Sequence, residues 1–375
     1  MSVDSSASKS VASQGNGNGA PAKAPKINMD KLQAFMGRML NDLGAAATGS
    51  LVILGDRLGL YEALWKHGPC TSAEFASATG LHERHLREWL CAQAAAQYIE
   101  YDAANETFAL TPEQAAVFAD PNSPAAMVGG FYTIGSSYLD EPKIAESFRT
   151  GKGVPWGDHS ACLFCGTARF FRPGYEANLV SNWLPALDGV VDKLKKGARV
   201  ADVGCGHGIS TFIMARAFPN SEFVGYDLHP ESIEASNKHA AEHGLRNLRF
   251  EIATAQDFPG QGFDVVTIFD ALHDMGDPVG ACKHIKQSLA PDGTLMVVEP
   301  RAGDTLAENI NPVGRVYYAA STMICTPGAI SQRGGMALGA QAGEKKLKEV
   351  FTAGGFTKVR RATDTPFNVV LEARA

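Results

Sequence analysis

Two stretches of the chain hold residue types that can do chemistry. In Val200-Ala201-Asp202-Val203-Gly204-Cys205-Gly206-His207-Gly208, glycines alternate behind an apolar run that contains an acid. Glycines let a backbone pass close to a ligand, and a helix starting there presents free N–H groups. Ile209 follows, so the spacing is G-x-G-x-G and not the dinucleotide G-x-G-x-x-G, and Asp202 suits a cationic ligand better than a pyrophosphate. Asp227 closes the next apolar run, where an acid can take both hydroxyls of a ribose. The second stretch is Leu272-His273-Asp274-Met275-Gly276-Asp277-Pro278. A histidine titrates near neutrality and can remove a proton from a hydroxyl, so His273 is the candidate general base.

These residues need a scaffold, and from Ala198 onward strands and helices alternate. Nearly continuous apolar runs predict strands over Ala198–Val203, Glu222–Leu228, Leu248–Ala253, Phe263–Phe269, Thr294–Glu299, Thr357–Arg361 and Asn368–Glu372. Helices are predicted over Ile209–Phe218, Glu231–His243, Pro278–Leu289 and Glu344–Ala353. Apolar strands separated by helices mean a mainly parallel sheet covered on both faces, with ligands at the carboxyl ends of the strands. The final pair is joined only by Ala362 to Phe367, too short for a parallel return, so those two strands must be antiparallel. The fold class expected for residues 196–375 is thus α/β, a Rossmann-like seven-stranded sheet with a reversed last strand.

The amino-terminal part reads differently. Phe35, Met36, Met39, Leu40 and Leu43 recur at helical spacing, as do Leu51, Leu54, Leu58, Tyr61, Leu64 and Trp65 in a second helix that His67-Gly68-Pro69 ends. Thr71-Ser72-Ala73-Glu74 has the form of a capping box opening a short helix. A further helix runs Glu83–Ala96, and Gln97–Tyr101 and Thr107–Leu110 read as paired strands. Helix, turn, helix and hairpin make a mainly α winged-helix domain over 28–120. Residues 121–195 form a helical connector rich in aromatics, in which His159, Trp156, Phe170 and Arg172 are candidates to line an acceptor pocket. Tyr317, Tyr318, Met323 and Cys325, in the insertion before the last helix, are candidates too.

The glycine stretch resembles motif I of the class I S-adenosylmethionine-dependent methyltransferases. Gln256-Asp257-Phe258, Phe263-Asp264-Val265-Val266, Leu289-Ala290-Pro291-Asp292-Gly293-Thr294 and the reversed terminal pair extend that resemblance over about half the chain. It implies S-adenosylmethionine as cofactor, contacted by Asp202, Gly204, Gly206, Asp227 and Asp257, with Gln256 and Phe269 as further contacts. The His273 segment is similar to the HDW-x-D stretch of small-molecule O-methyltransferases that carry a winged helix. In that group the histidine is the base and a glutamate ending the fifth strand orients it. The matching residues are His273 and Glu299, while Met275 replaces the tryptophan and a second orienting glutamate has no clean match, Glu344 being the nearest. Asp274 is an alternative holder of the imidazole. The resemblance further implies a small-molecule acceptor, methylated at oxygen, and a homodimer formed through the amino-terminal domain, where Gly55, Leu58, Gly59, Leu60 and Leu64 fit an interface or a core.

Composition bounds the competing readings. The chain has 375 residues and a net charge of −6, without the basic footprint of a nucleic-acid or anionic-membrane binder. Between Leu51 and Ala115 there are 4 basic and 9 acidic residues, the wrong sign for phosphate neutralisation by a winged-helix regulator. A binding protein that has lost catalysis would keep the glycine loop and the ribose acid, but has no need of His273-Asp274. No apolar run reaches the length of a spanning helix. The 7 scattered cysteines fit a cytoplasmic setting, and Cys162-x-x-Cys165 lacks the partner pair of a zinc site, so no metal is expected. Residues 1–27, rich in Ser, Gly, Asn and Ala, read as a disordered tail without a secretory signal.

Overall fold

The computed structural model describes residues 26–375, so most of the tail expected over 1–27 lies outside the described residues. The chain divides into two compact units after Ala46. Helix α1 runs Met29–Arg57 without the break expected between Leu43 and Leu51, and Phe35, Met36, Met39, Leu40 and Leu43 are exposed on it. The break comes instead at Gly59, whose φ of +67° ends α1 and allows α2, Leu60–His67, to start in a new direction.

In the larger unit, α2 is followed by α3 (Ser72–Thr79) and α4 (Glu83–Ala95), then β1 (Glu100–Asp102), β2 (Thr107–Ala109) and α5 (Pro112–Phe118). The Thr71–Glu74 capping box forms as expected: Glu74 N donates to Thr71 Oγ1, and Thr71 N donates to Glu74 Oε2. Strand β1 is shorter than predicted because Gln97, at φ +61°, turns the chain out of α4 before pairing begins. Gly55, Leu60 and Leu64 belong to the core of this domain, packed with Tyr61 and Trp89, whereas Leu58 is exposed. The charges of α4 are spent within the helix, where Arg84 pairs with Glu88 and Arg87 with Glu83 at 2.6 Å.

The connector consists of α6 (Val128–Thr150), α7 (Ala161–Asn178), a π-helical turn at Leu179–Trp183 and α8 (Val190–Lys196). Beyond it lie β3 (Arg199–Val203), α9 (Ile209–Ala217), β4 (Glu222–Asp227), α10 (Pro230–Glu242), β5 (Leu248–Ile252) and β6 (Phe263–Phe269). Next come α11 (Pro278–Ser288), β7 (Leu289–Pro300), α12 (Pro312–Ala320), α13 (Thr326–Ser331), α14 (Gly343–Ala353), β8 (Lys358–Asp364) and β9 (Asn368–Arg374).

The sheet has seven strands in the order β5-β4-β3-β6-β7-β9-β8. Neighbours from β5 to β7 are parallel, while β9 runs antiparallel to both β7 and β8, as the short final link requires. Strand β7 starts earlier than predicted, at Leu289, and a register irregularity opposite Phe263–Val265 absorbs the Ala290–Gly293 turn. One apolar layer, with Val200, Met214, Val265 and Met296, packs on one face; Val203, Val266, Ile285, Val297 and Phe351 fill the other. Burial on both faces removes the period-two signal and leaves the continuous apolar runs seen in the sequence.

Candidate active site

The carboxyl ends of β3, β4 and β6 open on one cavity of about 790 Å³, inside the range of about 300–1,000 Å³ typical of small-molecule sites. A shallower depression of about 1,020 Å³ around Asp304, Glu344 and Arg361 shares no residue with the glycine loop or the histidine segment.

At one end of the cavity the glycine loop turns from β3 into α9. Gly204 N and Cys205 N both donate to Tyr226 O, and Gly206 N donates to Asp227 Oδ2 at 2.8 Å, so the loop is tied to the end of β4. Gly208, at φ +70°, has no room for a side chain: a Cβ there would stand 2.4 Å from the Phe250 ring. A Cβ on Gly206 would meet nothing within 4 Å, so the loop faces open space at that point. Asp227 also accepts from His229 N at 2.9 Å, and burial raises its pKa although both backbone donors pull it down.

Gly204, Gly206, Asp227, Gln256, Asp257 and Phe269 all line the cavity. Asp257 Oδ1 caps the Thr254 turn, accepting from Thr254 N and Oγ1, and Gln256 Nε2 donates to Asp277 O. Asp202 is the exception among the expected contacts. It is wholly buried, outside the cavity lining, and accepts from Ser210 Oγ, Thr211 Oγ1 and Thr267 Oγ1 at 2.6–3.0 Å. Burial pushes its carboxyl up to about 6 against those three donors. Strand alternation points the side chain inward two residues before the loop, so Asp202 braces α9 from below.

At the other end, His273 sits on a short 3₁₀ turn, Leu272–Asp274, after β6. Its Nδ1 is 2.6 Å from Glu299 Oε2, and Leu272 N donates to Glu299 Oε1 at 2.9 Å. Glu299 is 1% exposed and His273 is buried, so the end of β7 and the turn after β6 carry a buried carboxylate–imidazole pair. His273 Nε2 lies 3.2 Å from Asp274 Oδ1. Burial alone would lower the imidazole pKa, but Asp274 and Glu299 hold it well above the usual range. Glu344 plays no part here: it pairs with Lys348 and Arg361 at the distant depression.

The wall between the two ends comes from segments far apart in sequence. Trp156, Phe170 and Tyr317 line the cavity as anticipated, together with Phe164, Phe171 and Tyr175. Tyr318 and Met323 are not in the lining, and Arg172 turns away to pair with Glu176 at 2.8 Å. His159 is buried against Asp140, with Nδ1 3.2 Å from Oδ2. Asp270 was not singled out in the sequence. It follows Phe269 in the cavity wall at φ +48°, accepts from Tyr175 Oη at 2.7 Å and Asn368 Nδ2 at 2.9 Å, and burial raises it to about 7. The signal for it was an acid ending a strand next to a candidate contact, and αL backbone at a non-glycine marks strain of the kind found at functional sites.

Comparison with known proteins bears on the fold. Residues 194–355 match a methyltransferase domain, and residues 46–119 match an Rv2258c-like winged HTH domain. A ubiquinone biosynthesis O-methyltransferase of Actinobacillus pleuropneumoniae is 37% identical over 106 residues, a match spanning 26% of this chain and 44% of that relative's length. Human N-acetylserotonin methyltransferase, solved in complex with SAM, superposes with a TM-score of 0.66 at 16% identity, covering 94% of this chain and 99% of that one. An O-methyltransferase family protein from Burkholderia thailandensis gives 0.64 at 16% identity, covering 93% and 98%. The chain carries a methyltransferase domain on a Rossmann-like sheet, preceded by a winged helix-turn-helix domain.

Proposed function

We propose that the protein transfers a methyl group from S-adenosylmethionine to the oxygen of a small, largely apolar acceptor, with His273 as general base. One observation carries this reading: a single cavity joins the glycine loop and Asp227 to the Glu299–His273 pair. The residues present fit the cofactor. The open space over Gly206 admits a ligand close to the backbone, and Asp227, although engaged by two N–H groups, keeps a lone pair on each oxygen for a ribose hydroxyl. Asp257, Gln256, Phe269 and Asp270 line the same cavity.

S-adenosylmethionine, when bound, supplies an electrophilic methyl on a sulfonium. The protein's part is to align, deprotonate and exclude water. Glu299 fixes the His273 ring through Nδ1, and in the neutral form of the ring Nε2 receives the proton of an acceptor hydroxyl. Glu299 and Asp274 together stabilise the imidazolium that this transfer creates. Trp156, Phe164, Phe170 and Phe171 supply a dry wall against which an apolar acceptor is oriented, and orientation is worth most for a displacement of this kind. Asp202 braces the loop from behind and touches neither reactant.

The winged helix serves assembly in this reading and not DNA binding, because the α4 arginines are already paired with glutamates. Exposed Phe35, Met36, Leu40 and Leu43 on α1 are suited to a second copy of the chain. Seven free thiols suit a reducing compartment such as the cytoplasm.

Calorimetry of the purified protein with S-adenosylmethionine tests the reading directly. Binding heat is expected for the wild type and most of it is lost in Asp227→Ala; an unchanged affinity would overturn the ribose assignment. Incubating cell extract with methyl-labelled cofactor and the protein, then finding the label in a small molecule, would identify the acceptor. Sedimentation of the wild type against a Met36→Glu, Leu40→Glu variant decides the dimer.

A further inference from the structure

The Glu299–His273 pair has a neighbour that the methyl-transfer reading does not use. Between α12 and α13 the chain makes a π-helical turn, Ser321–Cys325. Such turns interrupt the regular helical ladder and recur at functional sites. This one brings Cys325 into the cavity wall beside His273 and Asp274. A nitrogen, a carboxylate oxygen and a sulfur from these three residues all lie within 4.8 Å of one another.

Four features make this more than crowding. First, His273 Nε2 and Asp274 Oδ1 stand 3.2 Å apart, shielded from solvent, and the Cys325 thiol is within hydrogen-bond reach of both side chains. Two ligand atoms each about 2.0 Å from a tetrahedral zinc ion are separated by roughly 3.3 Å, so the observed gap fits one edge of that polyhedron. Second, the other ring nitrogen is locked on Glu299 at 2.6 Å, the carboxylate–histidine arrangement that orients metal-binding imidazoles. Third, one sulfur, one nitrogen and one oxygen favour a borderline-soft ion over magnesium or calcium. Fourth, all three residues line the cavity, so a further ligand can approach from that side.

We propose that His273 Nε2, Asp274 Oδ1 and Cys325 Sγ form a binding site for a divalent ion of the zinc class, with the fourth position open to the acceptor cavity. On binding, the Cys325 thiol and the His273 imidazolium each lose a proton to solvent, the sulfur and the freed Nε2 lone pair bond to the ion, and no oxidation state changes. The Nε2 lone pair then cannot also accept a proton, so an occupied site withdraws His273 from its role as base. Only this last consequence rests on the methyl-transfer reading.

The test is a titration of metal-free, full-length protein with Co²⁺. A thiolate-to-cobalt charge-transfer band and intense tetrahedral d–d bands should saturate at about one equivalent, and Zn²⁺ should bleach both. Cys325→Ser should abolish the charge-transfer band, while a Cys162→Ser, Cys165→Ser double variant should keep it. Asp274→Asn, which retains the thiol, should weaken cobalt affinity by about tenfold or more, and it carries the test if Cys325→Ser does not give a cooperative melt. No bands, or bands that vanish in the double variant and persist without Cys325, would overturn the site and leave the methyl-transfer reading untouched. Added Zn²⁺ should slow methyl transfer at least about tenfold, reversibly by chelation. Full activity of the zinc-loaded protein would refute the competition with His273 while the metal site stood on its spectrum.

Discussion

The two ends of the cavity are built on opposite plans. The glycine-loop end is made of contiguous backbone: β3, the turn and α9 follow one another, and hydrogen bonds from Gly204, Cys205 and Gly206 tie the turn to the end of β4. The histidine end is made of side chains drawn from α7, the β6–α11 connection, β7 and the α12–α13 insertion. In the proposed reading the backbone-built end takes the methyl donor, the reactant that methyl transfers on this scaffold share. A side-chain-built site is free to change with the acceptor, since substitutions there leave the sheet intact.

Substitutions at each end can break or sharpen this contrast. His273→Ala should lower turnover by about 100-fold or more, the usual contribution of a positioned base, with cofactor affinity unchanged in calorimetry. A loss below threefold would make the histidine end a binding wall without acid–base work. Gly208→Ala attacks the other end. Its φ of +70° and the 2.4 Å approach to Phe250 force the loop to move, so cofactor affinity should fall about tenfold or more and the melting temperature by several degrees. Retained affinity would show that the donor end tolerates backbone change and would remove the distinction.

Tyr175→Phe deletes the hydroxyl that donates to Asp270 at 2.7 Å. Removing a donor from a buried carboxyl costs about 2 kcal/mol, read in urea denaturation, and tests whether the cavity wall is held by this polar link or by packing alone. An effect of similar size concerns Asp202. Its pKa is about 6 when folded and about 3.8 when free, so the folded state binds more protons between those values and stability contributed by this group falls as pH rises. Asp202→Asn should remove that slope: the wild type should lose up to about 1.4 kcal/mol per pH unit relative to the variant between pH 4 and 6. Parallel curves would mean that the three hydroxyl donors fully offset the burial.

Much of this was legible in the residues themselves, and the misses are instructive. The alternation of apolar runs and helices foretold the sheet, and the short link before Asn368 foretold its reversed strand, because both follow from local periodicity and chain reach. Two separate apolar spacings suggested two helices, but α1 runs unbroken through Gly44 and Gly49 and the true break is Gly59. Asp202 looked like a ligand contact because its type and position matched a cationic partner. Its burial under Ser210, Thr211 and Thr267 depends on which face of β3 meets α9, which spacing alone does not reveal.

The sequence by itself determined the scaffold and the glycine turn between β3 and α9, where the residues concerned are neighbours in the chain and local backbone rules apply. The tertiary structure decided the rest. Register between β6 and β7 set Glu299 against His273, the turn after β6 put Asp270 in the wall, and a π-helical turn delivered Cys325 to the same few ångströms. Such meetings join residues that local propensity treats as unrelated, and only the packing of strands and helices sets their separation.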